Sequence, residues 1–169
     1  EQAEQLRALV DSFGQAEIER LAELEATTKH DVKAVEYLVR ERLHTLGLDH
    51  IAELTHFAAT SEDINNLSYA LTVSAAVSEV WLPKYRAVID ELRAQAAQHR
   101  DAAMLARTHG QPATPTTMGK ELAVFAHRLE RIRKQVEQTE CLGKFSGATG
   151  TFAAHLVADP SADWPAISE

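Results

Sequence analysis

A single cysteine, Cys141, stands among the 169 residues. One thiol excludes any disulfide within the chain, and its place at the end of a helical pattern fits a buried, inert group better than a nucleophile. Aromatic residues make up only 6%, and with alanine and leucine plentiful this favours helix. Basic residues are too few: 17 Lys and Arg face 25 Asp and Glu, a formal net charge of −8. That deficit argues against a nucleic-acid or membrane-surface binder, since both reward clustered cations. Small anionic ligands, which need only a few local donors, stay open. No signal peptide and no apolar run of membrane length is visible, so the expected location is cytoplasmic.

The familiar chemical signatures are missing as well. There is no HxxxH, HExxH or Cys/His pair for a metal, no glycine-rich phosphate loop and no G-x-S-x-G elbow. Internal repeats, low-complexity tracts and disordered linkers are also absent. What remains is 45% hydrophobic and 25% charged, enough for a sizeable core and a soluble surface. The length corresponds to one domain, or one with a piece of a second. The chain starts at Glu1, already inside a helical pattern and without Met, and ends on "DWPAISE", where a helix looks newly begun. Both ends read as those of a fragment.

Periodicity predicts helices over 2–11 and 15–26, broken at Gly14 and Glu17, then a polar turn "TTKHD" with Thr28 and Asp31 as candidate caps. A helix follows to about Leu46, with Val32, Val35, Leu38, Val39 and Leu43 at helical spacing, and "GLD" ends it. Residues 50–58 read as a short helix. "TSED" sets Thr60 three residues before Asp63, a capping-box pattern opening a run to roughly Arg100, with Pro83 starting a second helix or a kink. Met118, Leu122, Phe125, Leu129, Ile132 and Val136 alternate spacings of 4 and 3, a seven-residue seam that Gly143 stops. The remainder reads as irregular or weakly extended. The fold class is all-α, a long-helix bundle whose one-sided seam needs partners from elsewhere in the chain or another subunit.

Three of the eight histidines, His30, His56 and His109, fall at helix junctions; His44, His50, His99, His127 and His155 read as surface or satisfied core residues. "TKHD" offers an anion site from Lys29, His30 and a helix N-terminus, with Asp31 able to orient the imidazole. An ordinary N-cap beside two exposed basic residues explains it as well. Thr60 and Ser61 present hydroxyls at another helix mouth, and Asn65 and Asn66, poor helix formers, are odd choices for a plain bundle. In "RTHGQPATP", Gly110 permits unusual dihedrals while Pro112 and Pro115 restrict the backbone around His109. The residues alone leave proton transfer and simple helix termination both open.

Together, "TTKHDVKAVEY", "HFAATSEDINNLSYAL", "RTHGQPATPTTMGKELA" and "LGKFSGATGTFAAH" resemble the adenylosuccinate lyases of the aspartase/fumarase superfamily, in the bacterial branch carrying "TSEDINN". The resemblance runs through essentially the whole chain. It implies an all-α protein in which four subunits pool long central helices and each active site draws on three subunits. Residues 1–49 would end the N-terminal helical domain, and 50–169 would begin the central bundle. The implied reaction is elimination of fumarate from adenylosuccinate to give AMP, and from the succinylated aminoimidazole carboxamide ribonucleotide, with no metal or other cofactor. His109 would be the general acid; Lys29, His30, Asp31, Thr60 and Ser61 would bind substrate; His56 would be a further active-site histidine. The family's base, a serine on a mobile loop, has no counterpart in these residues. Argininosuccinate lyase, or a non-catalytic helical assembly fragment, are the alternative readings.

Overall fold

The computed structural model describes residues 2–169, with side chains from Glu4 onward; the helical start expected at Glu1 lies outside them. The chain divides into two compact units, Glu1–Tyr69 with Gly143–Glu169, and Ala70–Leu142.

In the first unit, α1 (Gln2–Asp11), α2 (Gln15–Thr28) and α3 (Asp31–Thr45) are followed by a 3₁₀ helix (Asp49–Leu54) and the start of α4 (Ser61–Ala75). The α1–α2 break is made at Gly14, whose N–H donates to Glu17 Oε2 at 2.8 Å. The other Glu17 oxygen receives Arg42 of α3 at 2.5 Å, so one carboxylate caps α2 and ties it to α3. Its pKa falls below the usual range, chiefly through the Gly14 N–H. α3 ends as "GLD" predicts. Gly47, at φ 70°, lets the Gly47 and Leu48 N–H groups turn back to the carbonyls of His44 and Leu43, a Schellman closure that buries Leu43 against the turn. Val32, Ala34, Leu38, Leu43 and Leu48 are buried, whereas Val35 stays 41% exposed. The expected helix over 50–58 shrinks to the 3₁₀ turn.

The second unit holds the long helices. After α4, a π-helical stretch (Ala76–Trp81) leads into α5 (Leu82–Gln98). Pro83 thus sits in the first turn of α5, opening that helix as its sequence position predicts, with the helical run continuous through it. The Leu82 N–H reaches back five residues to Val77, and this wider turn takes up the ring that an α-helical turn would exclude. A β-hairpin, β1 (Ala103–Thr108) and β2 (Gln111–Thr117), returns the chain to α6 (Met118–Glu137), which runs antiparallel to α5. Ile89 and Ala126 are buried in this unit. Of the seam, Leu122, Leu129 and Val136 are half-buried, while Met118, Phe125 and Ile132 remain 45–56% exposed.

Gly119 seats the start of α6 directly on the backbone at the end of α5 and just beyond it. A Cβ there would lie 2.3 Å from the Ala96 carbonyl oxygen and 2.5 Å from Arg100 Cα. These are backbone atoms, which cannot swing aside. Gly119→Ala should therefore destabilise the protein by about 1–3 kcal/mol or more, the usual size for overpacking. Chemical denaturation measures it, and an unchanged midpoint would refute this backbone approach.

α6 ends at Glu137, short of Gly143. Gly143 serves instead to admit the Leu67 side chain, whose Cδ2 would lie 2.4 Å from an added Cβ. Cys141 is exposed and lies outside any helix, not buried at a helix end. The final stretch is irregular, as read, apart from α7 (Ala153–Ala158) and α8 (Trp164–Ser168). Among the described residues no helix is long and apolar enough to cross a membrane.

Candidate functional site

The stretch expected to be a loop is a two-stranded antiparallel ribbon with His109 and Gly110 at its tip, Thr108 pairing with Gln111 across the turn. Both tip residues have positive φ, 52° and 75°, the pattern of the tight hairpin turns whose twist matches the strands. Glycine fills the second position without strain. A histidine at φ 52° costs about 1–2 kcal/mol in the left-handed region, a local cost of the kind that collects at functional positions. Six residues of β1 reach about 20 Å at strand rise, so the ribbon holds an exposed imidazole well away from the ends of α5 and α6. Pro112 and Pro115 lie in β2 opposite Arg107 and Leu105. A two-stranded ribbon tolerates prolines because each strand is an edge.

In "TKHD" the cap is neither Thr28 nor Asp31 but His30, whose Nδ1 accepts the Lys33 N–H at 3.3 Å. Asp31 Oδ1 also lies 3.3 Å from that Nδ1. A nitrogen accepting the cap bond has no proton to give a carboxylate, so the cap places the neutral ring's hydrogen on Nε2. Asp31 Oδ1 instead takes the Val32 N–H at 2.7 Å. Lys29 adopts φ 53° and closes α2 on Glu25. Lys29, His30 and Asp31 are all exposed.

In "TSEDINN" the capping box is half made: the Thr60 N–H donates to Asp63 Oδ2 at 3.0 Å. Asp63 does far more than cap. It is completely buried and accepts Lys144 Nζ at 2.6 Å and the N–H groups of Ser146 and Gly147 at 3.1 Å each. Burial pushes its pKa up, and these donors more than offset that, leaving the carboxyl below its ordinary range. Asn66 completes the clasp: its Oδ1 accepts the Lys144 N–H at 2.7 Å and its Nδ2 donates to the Lys144 carbonyl at 2.9 Å. The unusual asparagine thus has a structural job. The Thr60 and Ser61 hydroxyls, half-buried, make no hydrogen bond among the described residues and remain available at the mouth of α4.

His56 is tied to α3. Its Nδ1 lies 3.0 Å from Glu36 Oε2, which also receives Lys33 Nζ at 2.7 Å. Glu36 is only 7% exposed. Burial raises its pKa, but the Lys33 and His56 bonds outweigh burial and hold the carboxyl low. Glu36 and His56 line an open groove of about 390 Å³, otherwise walled mainly by apolar side chains such as Val32, Val35 and Ile64. The first unit thus carries His30, which caps α3, and His56, which Glu36 holds to α3, with Thr60 and Ser61 following His56 along the chain. His109 is carried by the second unit.

Sequence reasoning passed over Glu36, Lys144 and His155. Glu36 had a signal: it falls four residues after Val32 and seven before Leu43, a carboxylate on the apolar face of a helix. Lys144 had none. His155, read as a surface or satisfied core residue, is fully buried, and neither ring nitrogen has a protein partner among the described residues. It packs edge-on against Phe145, Phe152 and Trp164, with centroids 4.9–5.9 Å apart. Among the described residues no group of three or more His, Cys, Asp or Glu is arranged to hold a metal.

Residues 1–168 match a family described as lyase. The chain is 50% identical over 165 residues to adenylosuccinate lyase of Escherichia coli strain K12, covering 97% of this chain and 36% of that protein. It is 48% identical over 165 residues to the adenylosuccinate lyase of Haemophilus influenzae, again covering 97% and 36%. It therefore spans about a third of the length of the curated relatives it matches. Among solved structures, a fumarate lyase from Mesorhizobium sp. BNC1 superposes with TM-score 0.73 at 25% identity, covering 90% of this chain and 35% of that one. A 3-carboxy-cis,cis-muconate lactonizing enzyme from Pseudomonas putida follows at 0.69 and 26%, covering 89% and 34%.

Proposed function

The chain belongs to the lyase family, and from that premise we propose that the full-length protein eliminates fumarate from adenylosuccinate, and from the succinylated aminoimidazole carboxamide ribonucleotide. The observation that carries this reading is the 50% identity to a protein named adenylosuccinate lyase, sustained over 165 residues. The reaction needs a base to take a proton from the carbon next to a carboxylate, and an acid to protonate the nitrogen as the C–N bond breaks. His109 is the acid: an exposed imidazole on a constrained turn can meet a leaving amine with little reorganisation. The base is a serine outside these residues. Residues 1–49 close the N-terminal domain and 50–169 open the central one.

Substrate carboxylate and phosphate are held at the mouths of α3 and α4, where the helix dipole favours anions and the Lys29 ammonium and the Thr60 and Ser61 hydroxyls supply donors. Lys29, His30 and Asp31 line the first mouth and Thr60 and Ser61 the second, with His56 nearby. The protein acts as a homotetramer. Met118, Phe125 and Ile132, exposed at seven-residue intervals, form the stripe that helices of other subunits would cover.

The test is steady-state kinetics of the full-length protein with adenylosuccinate. Ser61→Ala and Lys29→Ala should each lower kcat/KM about 10–100-fold, the size expected for hydrogen bonds to charged groups. If both variants matched wild type, the assignment of these helix mouths to substrate anions would fail.

A further inference from the structure

We infer that Glu36 is the positioning residue of His56: its buried carboxylate fixes the imidazole ring and commits Nδ1, leaving Nε2 as the nitrogen offered to substrate. The inference rests on the reading of His56 as an active-site residue.

Glu36 Oε2 lies 3.0 Å from His56 Nδ1 and 2.7 Å from Lys33 Nζ, and Arg40 Nη1 lies 3.5 Å from Oε1. A carboxylate so placed has no proton, so the His56 contact is a hydrogen bond only if Nδ1 carries the hydrogen. That selects one tautomer, in the way a carboxylate behind a catalytic or metal-bound histidine does. The location argues against an incidental surface pair. Glu36 sits on the apolar face of α3 at 7% exposure, and the His56 side chain is 24% exposed on the wall of the same groove. A neutral apolar residue would satisfy packing there. Here instead a lysine, an arginine and a histidine converge on one buried carboxylate, and it holds all three.

Glutamine at position 36 separates charge from shape and hydrogen bonding. Lys33 and His56 meet the same oxygen, so an amide oxygen kept toward Lys33 still accepts from His56 Nδ1, and only the carboxylate charge behind the ring is lost. In the full-length protein, Glu36→Gln should lower kcat/KM for adenylosuccinate about 10-fold, the low end of the range for altering a group that orients a functional histidine. The Glu36→Gln thermal midpoint should fall by only about 2–4 °C, because Lys33 and Arg40, 46% and 34% exposed, turn to water. The same change made on His56→Ala should cost nothing further, because its effect passes through the ring. Glu36→Asp, which keeps the charge, should recover part of the loss. Nitrogen-15 spectra of labelled histidine should place the His56 hydrogen on Nδ1 in wild type and in Glu36→Gln, and release it from Nδ1 in Glu36→Ala, which removes the acceptor. A wild-type hydrogen on Nε2, or full additivity of Glu36→Gln with His56→Ala, would overturn the inference while leaving His56 in the site. Wild-type turnover by His56→Ala would instead remove His56 from the site, and the inference with it.

Discussion

Replacing Asp63 by alanine should destabilise the protein by about 3 kcal/mol, the lower end of the range for removing one partner of a buried ion pair. Asp63 is fully buried, and the side chain of Lys144 facing it is 37% exposed, so water relieves part of the cost. The rest cannot be relieved as easily. The N–H groups of Thr60, Ser146 and Gly147 all end on this carboxylate, and each loses its acceptor. Asp63→Asn would keep the shape but turn an amide NH₂ toward a set of donors, and should be nearly as damaging. Amide hydrogen exchange localises the effect, with Ser146 and Gly147 losing protection first. The pH dependence has a definite sign. The folded-state pKa lies below the ordinary 3.8, so the stabilisation is fully present above the unfolded value and is lost as pH falls through the folded one. A loss below 1 kcal/mol in Asp63→Ala, with Ser146 and Gly147 still protected, would contradict this account of the clasp.

His109 carries the largest functional prediction. A general acid is worth about 10²–10⁴-fold in rate, so kcat should fall by that much when the imidazole is removed from the full-length protein. The turn supplies a control that alanine does not. Asparagine accepts positive φ at the first position of this hairpin turn more readily than histidine. His109→Asn should therefore keep or slightly raise the thermal midpoint while activity collapses. Retention of more than about a tenth of wild-type kcat, far above that range, would remove His109 from the proton transfer.

Much of the helical frame was legible because its signals are local. Gly14 with Glu17, "GLD" after Leu43, and the alternating spacing from Met118 each describe what a few neighbouring residues do to one another. The hairpin was not, because "THGQPATP" carries two prolines where a strand is read from alternation, and only pairing with 103–108 makes it a ribbon. His30 was missed as a cap because histidine seldom caps helices. The clasp of Asp63 with Lys144 joins residues far apart in sequence, and no periodicity reports such a pair. His155 illustrates the same limit: its three aromatic neighbours come from 145, 152 and 164, and only the fold gathers them. The roles of the motif residues came through resemblance; what the structure adds is that some of them, Asp63 and Asn66, hold the chain through Lys144.

The most direct test of the central claim is product analysis. Purified full-length protein is incubated with adenylosuccinate, and fumarate and AMP are quantified together, with His109→Asn as the control. Fumarate elimination predicts the two products in equal amounts from wild type, and the variant slower by the factor expected of a lost general acid. A folded, assembled wild-type protein that releases no fumarate from adenylosuccinate would contradict it.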